Sequence, residues 1–310
     1  MTALGPHDRS DERHDVGGST VRPAQRWRPA RLRRLGGAAA SLGLLALAGC
    51  SAQDGAALKR LGLPEAASAQ APTIGDLWIG TWIAAGSIGL LVWGLIAWAV
   101  FRYRSDNNDM PRQTRYNLPM EIFYTVAPFV VIGVLFYYTI LAQNKITAES
   151  EKPDVTVNVV GYKWSWAFNY KAADNPAVGQ DVFDIGTIQV VPDLYLPVDK
   201  SVRFNLSSPD VNHSFWVPAF YEKRDVIPGR NNNLEITPNK IGVYRGKCAE
   251  LCGTYHQSML FNVHVVSQQD YEAHLKDLAS KGQIGEARGP KNTDAQGSSK
   301  IYQGEQVGKR

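Results

Sequence analysis

Two stretches of the chain carry no charged side chain at all: Leu77 to Phe101, 25 residues, and Ile122 to Ala142, 21 residues. At about 1.5 Å of rise per residue, each is long enough as a helix to cross the ~30 Å hydrocarbon core of a bilayer. Core helices of soluble domains do not run so far without a charge, so two membrane spans are expected. The segment between them, Arg102 to Asn117, sets Arg102, Arg104, Arg112 and Arg115 against Asp106 and Asp109. Short arginine-rich loops stay in the cytoplasm, which places loop 102–117 inside and both ends of the mature chain outside.

The N-terminal end gives the same orientation by a separate route. Arg26, Arg28, Arg31, Arg33 and Arg34 precede Leu35 to Gly49, a run of 15 small and apolar residues. That run is too short to span but suits the core of a signal peptide. Leu47-Ala48-Gly49-Cys50 resembles a bacterial lipoprotein signal, so residues 1–49 are expected to be removed and Cys50 acylated. The plainer reading is a chance cysteine in a signal cleaved elsewhere, for example after Ala69. Arg33-Arg34 also fits a twin-arginine signal, with nothing else in its support. Residues 50–73, rich in Ala, Ser, Gln and Gly, read as a tether without a packed fold, and 74–145 as the membrane hairpin.

Charge narrows the possible partners. The net charge is +4, but residues 1–49 hold 8 basic and 4 acidic groups, whereas 51–149 hold 7 of each and 150–310 hold 18 of each. Without the signal the chain is neutral and lacks a broad basic field for phosphate, so no nucleic-acid partner is expected. Three cysteines are too few for a disulfide scaffold.

From Val155 the pattern changes to short runs rich in Val, Tyr, Trp and Phe, punctuated by Pro and Gly. Strands are expected within Val155 to Tyr170, Thr187 to Val191, Ser201 to Ser207, Ser214 to Pro218, Asn233 to Thr237, Gly242 to Arg245 and Met259 to Val266. They predict a small antiparallel sandwich or barrel of about 110 residues within 150–267. Residues 268–281 read as a short surface helix, and 282–310 as a disordered tail.

One constellation carries chemistry. Cys248, Cys252, His256 and Met259 stand within twelve residues, and His213 lies upstream between strand-like runs. Cys252, His256, Met259 and His213 supply the two imidazoles, thiolate and weak thioether of an electron-transfer copper site. Cys248 exceeds what a single copper needs, and two bridging thiolates can hold two ions rather than one. A structural zinc site has no use for Met259 and fits the spacing poorly. A disulfide between the external cysteines, and Met259 as plain core filler, are the remaining alternatives. His264 and His274 fit no cluster and read as ordinary strand or surface residues, and His7 and His14 leave with the signal. Glu121, at the cytoplasmic start of the second span, reads either as a solvated acid favoured by the helix N-terminus or as the mouth of a proton path.

Taken together, CxExCGxxHxxM (Cys248 to Met259), the upstream DVxHSF (Asp210 to Phe215) and the preceding two-helix hairpin resemble subunit II of the haem-copper cytochrome c oxidases, from about Leu77 to Val266. With the lipoprotein-type signal, the resemblance points to the aa3-type enzymes of actinobacteria. It implies two transmembrane helices followed by a cupredoxin-like Greek-key domain on the external face of the plasma membrane. It also implies a dinuclear mixed-valence copper centre of the CuA type. Cys248 and Cys252 would bridge both ions, His213 and His256 would be terminal ligands, and Met259 and the Glu250 carbonyl would be weak axial ligands. The Glu250 side chain would reach a magnesium ion shared with subunit I. Within Gly161 to Trp166, Trp164 takes the place where electrons enter from cytochrome c, although a strand Trp is otherwise core packing. Glu121, followed by Tyr124, Thr125 and Pro128, matches the start of the family's second helix, where the glutamate marks the K proton path. Ile227-Pro228-Gly229-Arg230 is a family-like turn.

The implied partners are subunits I and III, membrane lipid, and cytochrome c or a cytochrome c domain of the bc complex. The implied role is delivery of electrons to haem in subunit I for reduction of O2 to water coupled to proton pumping. Ser165 stands where relatives often carry an aromatic, and Ala172 to Asp184 is insertion-like. The chain has no CxxCH, so no c-type haem is attached to it. Two other classes compete: a copper chaperone or thiol oxidoreductase using CxxxC, and a copper-free quinol oxidase subunit II. The first keeps its His downstream in a βαβ setting, and the second loses the Cys and His residues present here.

Overall fold

The computed structural model describes residues 52–104 and 113–289. The expected signal peptide, Cys50, residues 105–112 of the arginine-rich loop and the tail beyond 289 lie outside the described residues. A short helix, α1 (Ala52–Lys59), comes first. Helices α2 (Ala71–Arg102) and α3 (Leu118–Ile146) then pack against each other, and each is long and apolar enough to cross a membrane. Their large apolar side chains face outward, Trp93 and Phe129 being 72% and 73% exposed, the condition of residues whose solvent is lipid. Two side chains cap the start of α3: that of Asn117 accepts from Met120 N, and Glu121 Oε1 accepts from Asn117 N at 3.0 Å. The Glu121 carboxylate is thus engaged at a helix start.

Ten strands follow: β1 (Val155–Tyr162), β2 (Ser165–Tyr170), β3 (Val182–Ile185), β4 (Asp193–Pro197), β5 (Val202–Ser207), β6 (His213–Val217), β7 (Glu222–Val226), β8 (Asn232–Ile236), β9 (Gly242–Cys248) and β10 (Leu260–Val266). They form two five-stranded sheets, ordered β3-β2-β1-β5-β8 and β4-β10-β9-β6-β7. Alternate residues of each sheet fill one core, in which Trp166, Phe168, Phe204, Phe215 and Phe261 are at most 1% exposed. Helix α4 (Gln268–Ser280), capped by Ser267, buries Tyr271, Leu275 and Leu278.

Several expectations need correction. The sheets are not wholly antiparallel, because β1 runs parallel to β5 and β4 parallel to β10. Val155 to Tyr170 holds a hairpin of β1 and β2 turning at Lys163-Trp164. Thr187 to Val191 forms no strand. There the Thr187 hydroxyl accepts from the amides of Gln189 and Val190, a turn that competes with sheet pairing. The insertion-like stretch contributes β3. Strand β7 was not expected because its sequence, EKRDV, is polar, as an edge strand can be.

Neither chain end of the domain is loose. In the expected tether, Ala67, Ser68 and Ala71 are fully buried. Ala67 N donates to Ala219 O, Ala69 N to Thr237 O, and Ser68 bridges Pro238. Small side chains allow this backbone to lie close against the sheet. In the expected tail, residues 283–289 lie across the outer face of β1 to β3. Ile284 bridges Val182, and Ala287 exchanges two hydrogen bonds with the Asn169 amide, at 2.7 and 3.0 Å. A Cβ on Gly289 would stand 2.7 Å from the Tyr162 ring, so only glycine fits that approach. This cover explains why β2 is buried on both faces.

Candidate metal centre

The six proposed ligand residues converge at one end of the second sheet. His213 opens β6, Cys248 closes β9, and the connection to β10 carries Glu250, Cys252, His256 and Met259. This connection is fixed at several points: Cys248 N donates to Met259 O, Ala249 N to Ser214 O, and Trp166 Nε1 to Met259 O. The donors are consequently close before any ion binds. The two sulfurs lie 3.9 Å apart, Cys248 Sγ is 3.9 Å from His213 Nδ1, and Cys252 Sγ is 3.5 Å from His256 Nδ1. Met259 Sδ stands 3.7 Å from Cys252 Sγ, and the Glu250 carbonyl 3.2 Å from Cys248 Sγ.

These spacings test whether a metal fits. An ion about 2.0 to 2.3 Å from each donor at near-tetrahedral angles separates pairs of donors by roughly 3.4 to 3.8 Å. The observed distances fall close to that range. His213, Cys248 and Cys252 are buried, with ligand atoms within 4.8 Å of one another, while His256 and Met259 lie beside Cys252. Soft sulfur plus imidazole is the donor chemistry of copper, and two thiols placed between two imidazoles suit two ions sharing both sulfurs.

Electrostatics assist. The hydrogen bond from Cys252 pulls the Cys248 thiol well below the usual thiol range against burial, with His213 helping. Cys252 is pushed up by its ionised neighbour and by burial. The pair releases its first proton readily and its second only when a cation compensates. His213 is held from behind: its Nε2 lies 2.9 Å from Asp210 Oδ1, leaving Nδ1 toward the sulfurs. Asp210 also accepts from the amides of Lys163 (2.7 Å) and Val211 (2.6 Å). Burial works to raise the Asp210 carboxyl, but these bonds outweigh it and hold it below the carboxylate range. Asp210 thereby ties the hairpin bearing Trp164 to the His213 imidazole.

Trp164 is 6% exposed and donates from Nε1 to the Cys252 carbonyl at 3.2 Å. Its ring meets the Tyr255 ring edge-on at 5.0 Å and lies against Gly253, whose φ of +123° requires glycine. Tyr255 and Leu251 are exposed on the same loop. Sequence alone assigns neither a role, nor does it reveal the clasp made by Asp210, although the place of Asp210 three residues before His213 is a usable signal. The Glu250 side chain is exposed. His264 and His274 stand outside the cluster and stack on the two sides of Tyr195, at 4.4 and 3.6 Å, joining β10 and α4 to β4.

A membrane hairpin that carries a two-sheet domain with sulfur and imidazole donors at one end defines a class, that of anchored copper-domain proteins. The family described as cytochrome C oxidase subunit II, periplasmic domain, matches residues 155–266. The probable cytochrome c oxidase subunit 2 of Streptomyces avermitilis is 46% identical over 291 residues, covering 83% of this chain and 90% of the relative. Cytochrome c oxidase subunit 2 of Mycobacterium tuberculosis is 34% identical over 303 residues, covering 80% and 83%. The crystal structure of the periplasmic domain of subunit II of cytochrome oxidase from Bradyrhizobium japonicum is 28% identical. It covers 43% of this chain and 99% of that one, with a TM-score of 0.38. The chain belongs to the cytochrome c oxidase subunit II family and is thus part of an oxidoreductase.

Proposed function

We propose that this chain takes electrons singly from cytochrome c, or from a cytochrome c domain of the bc complex, and delivers them to haem in subunit I. There O2 is reduced to water with proton pumping. Copper would be held by Cys248, Cys252, His213 and His256, with Met259 and the Glu250 carbonyl as weaker donors, and as a pair of ions would supply one-electron redox chemistry. The residues of the chain do the rest. Two rigid strand ends and a pinned loop hold the donors, burial excludes water, and Asp210 fixes the His213 tautomer and ring orientation. A site built this way changes little between oxidation states, which keeps the barrier to electron transfer low. Trp164 connects the surface to the Cys252 backbone and is the residue through which electrons enter.

On the same reading the exposed Glu250 carboxylate meets a magnesium ion shared with subunit I, and Glu121 marks a proton path at the cytoplasmic end of α3. Subunit III and membrane lipid complete the surroundings. The chain is multi-pass in the plasma membrane with its β domain outside, exported by residues 1–49 and lipidated at Cys50. The spacing of sulfur and imidazole donors carries the reading.

The test is metal analysis with EPR on the purified full-length chain. Two coppers per chain and a spectrum of one electron shared by both are expected, whereas a single-copper blue spectrum would falsify the dinuclear site. Cys252→Ser should abolish copper binding while leaving membrane insertion intact.

A further inference from the structure

The turn that carries Trp164 is closed in from two sides by parts of the chain distant in sequence. Tyr162 ends β1 two residues before it, and Ser165 opens β2 directly after it. Tyr162 is fully buried and Ser165 only 2% exposed, whereas connections between strands ordinarily lie open to water. One cover is the stretch between β3 and β4. Gly186 N donates to Trp166 O at 3.0 Å, and the Tyr162 hydroxyl donates to Gly186 O at 2.8 Å. A Cβ on Gly186 would stand 2.6 Å from Ser165 Oγ and 2.4 Å from the Pro192 ring, so backbone and turn touch there with no room between.

The other cover is the segment 283–289. On the outer face of the first sheet, Val160, Tyr162 and Ala167 form with its Ala287 a small apolar cluster apart from the main core. Gly289 approaches the Tyr162 ring at a φ of +70°, where a side chain would be strained as well as blocked. The segment is held at further points. Phe183 N donates to Gln283 O at 3.1 Å and Gly285 N to Asp181 O at 2.8 Å, while Glu286 accepts from Lys171 Nζ at 2.6 Å and from Asn158 Nδ2 at 3.1 Å. None of these partners belongs to the donor cluster. On its far side the turn meets the metal centre: Lys163 N donates to Asp210, and Trp164 Nε1 to the Cys252 carbonyl at 3.2 Å. Resting on the reading of Trp164 as the electron entry, we propose that Tyr162 is a positioning residue and segment 283–289 its lock. Together they fix the separation of the Trp164 ring from Cys252, and with it the rate of electron entry. A strand connection released from its cover opens locally, and electron transfer weakens steeply as the groups part.

The test compares the full-length, copper-loaded chain in detergent with a chain ending at Gly282, with Gly289→Val and with Tyr162→Phe. Arg288→Ala, at a side chain 80% exposed, serves as control. Deuterium exchange of the peptide over residues 160–166 reports the turn. Stopped flow reports reduction of the copper by reduced cytochrome c and, separately, by ascorbate with a small neutral mediator. Exchange at the turn should rise about tenfold in the shortened chain and in Gly289→Val, and less in Tyr162→Phe. Reduction by cytochrome c should slow by about three- to tenfold in the first two. Reduction by the mediator and the copper EPR spectrum should stay native, because no donor to the metal is touched, and Arg288→Ala should match the native chain throughout.

A native cytochrome c rate in both the shortened chain and Gly289→Val overturns the proposal, whether or not exchange at the turn has risen. So does an equal loss with both reductants, or an altered EPR spectrum, since the segment would then steady the whole domain and not the turn. If the shortened chain does not fold, Tyr162→Phe, which keeps the ring, decides by the same readouts. The electron-entry reading fails separately: Trp164→Phe oxidising cytochrome c at the native rate removes that role, while exchange at residues 160–166 still shows whether the lock holds the turn.

Discussion

Asp210→Asn is the perturbation that probes the metal centre from behind. The native carboxylate accepts four hydrogen bonds: Oδ2 from Lys163 N at 2.7 Å, and Oδ1 from His213 Nε2, Val211 N and the Ser208 hydroxyl at 2.9, 2.6 and 3.2 Å. An asparagine has one acceptor oxygen. Placed toward His213, it turns its NH2 against the Lys163 amide; placed the other way, it turns NH2 against the imidazole N–H. Either orientation leaves a donor without an acceptor in a site only 7% exposed, a cost of about 1 to 3 kcal/mol. Loss of such an outer partner lowers metal affinity by about 10 to 100-fold, or roughly 1.4 to 2.7 kcal/mol. Copper affinity measured by competition with a chelator of known strength should fall by that factor, with a shifted EPR spectrum. Asp225→Asn, at an exposed acid one strand away, should change neither. A native affinity in the Asp210 variant would mean that packing alone holds His213, and the clasp would lose its role.

A Cβ at Gly246 would stand 2.0 Å from Phe261, whose ring is fixed by Trp166, Phe168 and Phe215. Gly246→Ala should therefore cost about 3 kcal/mol or more and lower the melting point of the β domain in near-UV circular dichroism. A second change, Phe261→Leu, should recover part of the loss. Trp164→Phe keeps an aromatic ring, though a smaller one, and deletes the bond to the Cys252 carbonyl; oxidation of cytochrome c should slow at unchanged copper content, and an unchanged rate removes Trp164 from the path. Burial, then repulsion from Asp193, lifts the Asp184 carboxyl to about 6. Its contribution to stability is complete below the ordinary carboxylate range and is lost as pH rises through 6. Asp184→Asn should raise the melting point at pH 8 and not at pH 4; a gain at both would place its cause elsewhere.

The chemistry of the site was legible because it depends on residue type and spacing within one loop, Cys248 to Met259, plus one distant imidazole. The spans were legible because the absence of charge over 20 residues has few other causes. What escaped depends on contacts between distant parts of the chain. The covering of β2 by residues 283–289 is invisible in either segment alone, so the cover reads as a tail. The parallel pairing of β1 with β5 leaves no local mark either. Thr187 to Val191 has strand composition, yet a hydroxyl two residues from the Gln189 amide decides for a turn.

Both feet of the membrane hairpin are fastened to β8. Before α2, the Gln70 amide brackets Glu235 O and Thr237 N; after α3, Ser150 N and Arg203 converge on the Glu235 carboxylate. Such a mounting works as a pedestal, not a swinging arm. On the proposed electron-transfer reading, the gap an electron would tunnel is then set once, when the chain folds, and turnover would not wait for a domain to rotate into range. Loosening Glu235 would broaden the spread of transfer rates among molecules before it lowered their mean.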